Sequence, residues 1–260
     1  MDLGLSGKVA LITASSGGIG MNVAKRLASE GADVVLLARS AEKLETLAAT
    51  FRDEYGVRAL PVVGSMLETC DHDRLFAAIK DEFGRLDIAI LNTGRPPSPL
   101  RSALDETDRS RWHQSYDTLL SCVIEITQRA HPLMSANSWG RMIAITSASV
   151  HLAMPHHALS TVFRAGVEAY MKHLSSEIGK DGITVNCVAP ALIDSSHREA
   201  AVSYSPEQTA RRREMSAMKR LGTHEELASV VTFLASVPAG FVTGESIRVD
   251  GGMVTAALHR

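Results

Sequence analysis

Short, almost wholly apolar runs recur along this chain, and the residues between them have a helical period. Val9 to Ile12, Val34 to Leu37, Leu60 to Val63, Ile88 to Leu91, Met142 to Ile145 and Thr184 to Val188 read as strands. They do not alternate apolar with polar, so both faces of each strand must be covered. Asn22 to Glu30, with Val23, Leu27 and Ala28 on one face and Gly31 to stop it, reads as a helix, as does Ala41 to Tyr55. Strands separated by helices imply right-handed βαβ crossovers, hence an α/β fold with a doubly wound parallel sheet in three αβα layers. An α+β fold would need runs of like elements, which the sequence lacks. With 260 residues, 45% of them hydrophobic, one large core suffices. No linker, repeat or low-complexity block divides the chain, so residues 1–260 are expected to form a single domain.

Charge excludes some functions. The net charge is −2 and the pI about 6.6, which gives no electrostatic basis for binding nucleic acid or an anionic membrane. No apolar stretch is long enough to span a bilayer, and the N-terminus has no basic region followed by an apolar run. Cys70, Cys122 and Cys187 are an odd number at irregular spacing, which suits reduced thiols in a cytoplasmic protein. No metal site is expected, since His156 and His157 have no third ligand at suitable spacing.

Thr13-Ala14-Ser15-Ser16-Gly17-Gly18-Ile19-Gly20 lies between the first strand and the first helix. Glycines there let the backbone approach a pyrophosphate, and the helix N-terminus adds unpaired N–H groups and a positive dipole end. In a Rossmann-like sheet this is the dinucleotide turn. The second strand runs into Ala38-Arg39-Ser40, without the acidic residue that binds a ribose 2′-hydroxyl. Arg39 suits a 2′-phosphate instead, so NADP(H) is the expected cofactor, with Ser15, Ser16 and Ser40 as additional donors. The alternative is a solvated arginine at a strand end.

Further segments carry a family resemblance. Leu91-Asn92-Thr93-Gly94, Gly140 to Ser147, Ile183 to Pro190 and Val242 to Gly252 occur in order. From Leu5 to Val254 the chain resembles the short-chain dehydrogenase/reductase family, and within it the 3-oxoacyl-carrier-protein reductases. Ala14 and Ala191 stand where the family usually has glycine, and Ser65 where it often has aspartate. The resemblance implies that Ser65 and Met66 border the adenine. It places Asn92, Thr93 and Gly94 near the ribose, and Pro190, Ile193 and Ser195 at the nicotinamide end. It also implies a lid over the substrate at residues 194–220, and a homodimer or homotetramer.

The catalytic positions depart from the family. The resemblance puts Ser147 on the serine that positions the substrate carbonyl, but Ser160 on the tyrosine and Arg164 on the lysine, with Leu119 on the supporting asparagine. Residues i and i+4 share a helical face, so Ser160 and Arg164 point together, with Phe163, Val167, Tyr170 and Leu174 expected as the core face. A serine hydroxyl is a far weaker acid than a phenol, whose pKa is about 10. Arginine stays charged and cannot act as a base, but it can hold a ribose hydroxyl or an anionic substrate. Losing a positioned general acid costs roughly 10²–10⁴ in rate.

Replacement proton donors are a water between Ser147 and Ser160, or His151, His156, His157 or Tyr116. Ser147 has a second reading, as a cap of the turn that follows it. Arg198 and Arg211 to Arg213 are read either as a solvated helix face or as contacts for an anionic substrate. The expected function is an NADP(H)-dependent reductase of a carbonyl or imine, or oxidation of the alcohol, with a non-standard proton donor. The alternatives are a non-redox enzyme of this fold or a catalytically silent NADP-binding protein.

Overall fold

The computed structural model describes residues 1–194 and 204–257. Seven parallel strands form one sheet: β1 (Val9–Thr13), β2 (Asp33–Ala38), β3 (Ala59–Val63), β4 (Ile88–Leu91), β5 (Gly140–Ile145), β6 (Ile183–Pro190) and β7 (Ser246–Val249). Their spatial order is β3-β2-β1-β4-β5-β6-β7, so the direction of winding reverses between β1 and β4. That is the doubly wound arrangement expected, and ligands of such sheets bind outside the strand carboxyl ends at this reversal.

Both faces of each central strand are covered, which is why the runs are apolar throughout. Ala10 and Ile12 of β1 join one core with Val34, Leu36, Ile88 and Ile90, beneath α1 (Gly18–Ser29), α2 (Ala41–Tyr55) and α8 (His224–Ala235). Val9 and Leu11 join the other with Val35, Leu37, Ala89 and Leu91. That face is covered by α3 (Thr69–Phe83), α5 (Cys122–Ser135) and α6 (Ala158–Ile178). Each valine, leucine or isoleucine buried in this way contributes about 1.5–3 kcal/mol.

The remaining helices are α4 (Arg109–Tyr116), α7 (Pro206–Met215) and α9 (Met253–Ala257), and a π-helical turn, Asp117–Ser121, joins α4 to α5. Glycine in the left-handed conformation ends α2 at Gly56 (φ 67°) and α3 at Gly84 (φ 67°). A small third cluster, Ala148, Leu192, Met253 and Val254, roofs the carboxyl ends of β5 and β6.

The buried stripe of α6 differs from expectation. Val167 is buried, but Met171 and Ile178 accompany it, while Phe163, Tyr170 and Leu174 are only partly covered. Phe163 turns toward α4, where its ring packs edge-on to Trp112 at 6.0 Å and Tyr116 at 6.2 Å between centroids. A neighbouring aromatic helix, not the sheet, claims that side chain.

No helix among the described residues is long and apolar enough to cross a membrane. No cluster of three metal-ligating side chains occurs among them.

Candidate active site

The ends of β1 and β4 are tied together at the sheet reversal. The buried Thr13 hydroxyl donates to the Asn92 carbonyl at 2.7 Å and accepts from the Asn92 amide at 3.0 Å. Asn92 Nδ2 donates to the Ala14 carbonyl at 3.3 Å. Ala14 is left-handed, with φ 48°. That conformation costs an L-residue about 1–2 kcal/mol, which is the physical reason glycine is favoured there. A Cβ on Gly20 would lie 2.5 Å from the Ala14 carbonyl oxygen, so α1 sits directly against this turn. At Gly17, by contrast, an added Cβ would meet nothing within 4 Å, and no side chain caps α1. The first-turn amides and the positive helix end therefore face an open crevice.

The serines around the crevice divide. Ser15 is buried, with its hydroxyl donating to the Leu37 carbonyl at 3.3 Å. Ser16 is half-buried and makes no hydrogen bond among the described residues, and Ile19 packs partly buried against the α1 side of the core. Arg39 is exposed at the end of β2, beside Ser40, which occupies the α2 N-cap without a side-chain capping bond. Ser65 caps its own turn, its hydroxyl accepting from the Leu67 amide at 3.1 Å, while its amide donates to Asp71 at 2.7 Å. The Met66 carbonyl accepts from His72 Nε2 at 2.9 Å, and the Met66 side chain packs on the α3 side of the sheet.

Ser147 ends β5 and begins a short 3₁₀ turn, where its hydroxyl oxygen accepts from the Ser149 amide at 3.2 Å. The capping role is thus present, and it leaves the hydroxyl proton free to donate. The Thr161 hydroxyl donates to the Ser149 carbonyl at 3.4 Å, tying the start of α6 to the same turn. One turn along, Arg164 Nη1 donates to the buried Ser160 hydroxyl at 2.7 Å. Its Nη2 donates to the Gly94 carbonyl at 3.2 Å and, at the longer distance of 3.5 Å, to the Thr93 hydroxyl. Arg164 Nε is buried without a partner among the described residues. Burial, reinforced by the nearby charge of Arg95, pulls the Arg164 guanidinium down to about 10, still cationic at neutral pH.

The other expected donors point elsewhere. His151 Nε2 lies 3.3 Å from the Ser246 hydroxyl and 3.4 Å from Glu168, which also accepts from the Thr146 hydroxyl at 2.7 Å. His157 Nδ1 bonds the Pro155 carbonyl at 2.7 Å, and His156 is exposed in a left-handed conformation. Tyr116 is exposed against Phe163.

Leu119 is fully buried within the π-helical turn. Thr118 faces the β4 loop, with its Cγ2 at 2.7 Å from where a Gly94 Cβ would be. Pro190 and Ile193 lie at the carboxyl end of β6, and Ile193 bridges to Gly222. A cavity of about 180 Å³ beside Ile193 is lined by Leu192, Met218, Val230 and Val249 but by none of Ser147, Ser160 and Arg164. Ser195 and Arg198 lie outside the described residues, as does part of the lid segment at 194–220.

The sequence reading passed over Arg95, Thr118 as a cleft-facing residue, and Glu168. For Arg95 a signal existed, a cation in the Gly-Arg-Pro-Pro loop that leaves β4. Thr118 and Glu168 had none, because their neighbours come from distant segments.

A family model described as Enoyl-(Acyl carrier protein) reductase matches residues 13–254. The chain is 30% identical over 253 residues to the 3-oxoacyl-[acyl-carrier-protein] reductase FabG of Aquifex aeolicus, covering 97% of this chain and 100% of that one. It is 31% identical over 254 residues to Dehydrogenase/reductase SDR family member 4 of Bos taurus, covering 96% and 88% respectively. Among solved structures it is similar to L-sorbose reductase from Gluconobacter frateurii in complex with NADPH and L-sorbose. There the TM-score is 0.86 at 29% identity, with 98% of this chain and 99% of that chain covered. The reversal-point crevice, the ordered strand-end motifs and these matches along nearly the whole chain agree: it belongs to the short-chain dehydrogenase/reductase family.

Proposed function

We propose that this chain is an NADP(H)-dependent oxidoreductase that reduces a carbonyl or imine, or oxidises the corresponding alcohol, with a serine-directed proton route. One observation carries the reading: both active-site hydroxyls are oriented as donors. Ser147 Oγ accepts from the Ser149 amide and Ser160 Oγ accepts from Arg164, so each O–H is left to point away from those partners. Bound NADPH would supply the hydride. Ser147 holds the substrate oxygen, and Ser160, standing where the family has tyrosine, orders a water that delivers the proton. Arg164, standing where the family has lysine, holds Ser160 and the β4 loop in place. A protonated imine needs less acid assistance than a ketone, which suits this weaker donor set.

Support for the cofactor comes from the chain's own donors. The open turn at Gly17 and the uncapped α1 amides fit a pyrophosphate in charge and in space. Arg39, Ser16 and Ser40 supply a cation and hydroxyls at the 2′-phosphate end. Relatives solved with NADPH add to this. The same reading includes Thr13, Ser15, Gly18, Ile19, Ser65, Met66, Asn92, Thr93, Pro190, Ile193 and Ser195 as the cofactor's surroundings. Thr13 and Ser15 act there through backbone and packing, because their hydroxyls are engaged internally. It also includes a cytoplasmic location and a homo-oligomer, for which the exposed apolar side chains Phe233, Val237 and Phe241 are available as contacts.

A second reading, a silent NADP-binding protein, draws on a different observation: among the described residues no carboxyl, phenol or imidazole is hydrogen-bonded to Ser147 or Ser160. Single-turnover oxidation of NADPH across a panel of ketones, aldehydes and cyclic imines separates the two. Turnover that disappears in Ser147→Ala supports the oxidoreductase. Saturable NADPH binding with no oxidation of any panel member overturns it.

A further inference from the structure

Arg164 is a half-buried cation with no carboxylate bonded to it among the described residues. Its three acceptors, the Ser160 and Thr93 hydroxyls and the Gly94 carbonyl, are all neutral. Its Nε–H is enclosed and unpaired. A lone buried charge is unfavourable unless something compensates it. The structure adds a second cation instead. Arg95 directly follows Gly94, is exposed and has no ion pair or hydrogen bond among the described residues. Its charge is close enough to act on Arg164.

The rim that presents Arg95 is built to stay in place. Buried Arg111 donates to the carbonyls of Pro97 at 3.1 Å and Pro99 at 2.7 Å while paired with buried Glu106, and Trp112 Nε1 donates to the Glu106 carbonyl at 2.8 Å. Arg164 reaches this loop from α6 through the Gly94 carbonyl, the two guanidinium groups repel each other, and an anion between them would give each a charge-assisted hydrogen bond.

We infer that Arg95 and Arg164 form a receptor for a carboxylate carried by the substrate next to its reacting carbonyl, as in a small oxo acid. The word substrate rests on the oxidoreductase reading; the anion receptor itself does not. The position favours substrate over cofactor phosphate, because the open α1 amides provide for a pyrophosphate at Gly17, whereas Arg164 is bonded to Ser160 at the chemistry end.

Calorimetric titration of the full chain, with and without saturating NADPH, tests this using acetoacetate, its neutral analogue acetoacetamide, and inorganic phosphate. Acetoacetate should bind roughly tenfold or more tightly than acetoacetamide and lose a similar factor in Arg95→Gln and in Arg164→Gln. The exposed substitution Lys180→Gln, before the amino end of β6, should change nothing. Should Arg164→Gln fail to fold, the exposed Arg95→Gln still carries the test. Equal binding of the amide, or unchanged affinity in Arg95→Gln, overturns the inference. So does loss of acetoacetate binding on adding NADPH together with weaker NADPH binding in Arg95→Gln, since the cofactor's phosphate would then be the anion. Arginine-dependent acetoacetate binding without any NADPH binding would uphold the receptor and reject the cofactor reading.

Discussion

The Arg164 guanidinium donates to the Ser160 hydroxyl oxygen over 2.7 Å, one helical turn apart, and this bond decides which way the serine proton faces. An oxygen that accepts from a cation turns its own proton away from that cation. The pair is therefore a directed donor, although a weak acid. If proton supply limits the rate, the double substitution Ser160→Tyr with Arg164→Lys should raise carbonyl reduction by roughly 10²–10⁴. Stopped-flow measurement of NADPH oxidation checks this. A correctly folded double variant with no gain would show that these positions do not correspond to the family's tyrosine and lysine.

Arg39 is exposed at the carboxyl end of β2 with no acidic residue beside it at Ala38 or Ser40. Arg39→Asp should lower the preference for NADPH over NADH by roughly tenfold or more, the worth of a charge-assisted bond to a phosphate. Fluorescence titrations with both nucleotides measure the ratio, and an unchanged ratio removes the NADP assignment.

The two residues that shape the dinucleotide turn should respond in opposite directions. Ala14 is held at φ 48°, so Ala14→Gly should stabilise the fold by about 0.5–1 kcal/mol, after allowing for the greater freedom of glycine in the unfolded chain. Gly20→Ala would bring a methyl to 2.5 Å from the Ala14 carbonyl, and it should destabilise by about 1–3 kcal/mol. Urea unfolding midpoints of the two variants check both signs.

Stability should also fall in acid through Glu226. The side-chain hydrogen bond from Arg220, then the Thr223 amide, hold its carboxyl down at about 2, below the ordinary 4.5. A depressed carboxylate contributes its full stability above its unfolded pKa. That contribution fades as pH falls from about 4.5 toward about 2. Screening at this exposed pair keeps the effect below about 1 kcal/mol. Glu226→Gln should therefore be less stable than the wild type at pH 7, with the difference closing near pH 2 in paired denaturant titrations. A gap of constant size would show that the pair is not coupled to the protonation of Glu226.

The central strands were legible because their burial is two-sided. Each apolar run from Val9 to Val188 needed covering on both faces, and only helices from neighbouring crossovers provide that. Ala41–Tyr55 and Ile88–Leu91 appear with the bounds their sequence suggests, since a left-handed glycine ends the first and a short β-branched run defines the second. Strand β7 was hidden by Ser246 and Arg248, polar residues allowed on an edge strand with partly exposed faces. The α6 stripe was misread at Phe163 because its partners Trp112 and Tyr116 lie about fifty residues away.

The candidate site divides along the same line. Sequence alone determined the doubly wound core, the glycine turn at the first strand end and the chemical character of Ser147, Ser160 and Arg164, because periodicity and local motifs are encoded between near neighbours. Tertiary structure decided the partners. It turned the Thr13 and Ser15 hydroxyls inward, paired His151 with Glu168, and bonded Arg164 to the carbonyl of Gly94, the residue before Arg95. Those outcomes depend on which segments the fold brings together, and hydrogen bonds and charge interactions between residues from about twenty to about eighty positions apart leave no trace in the local sequence.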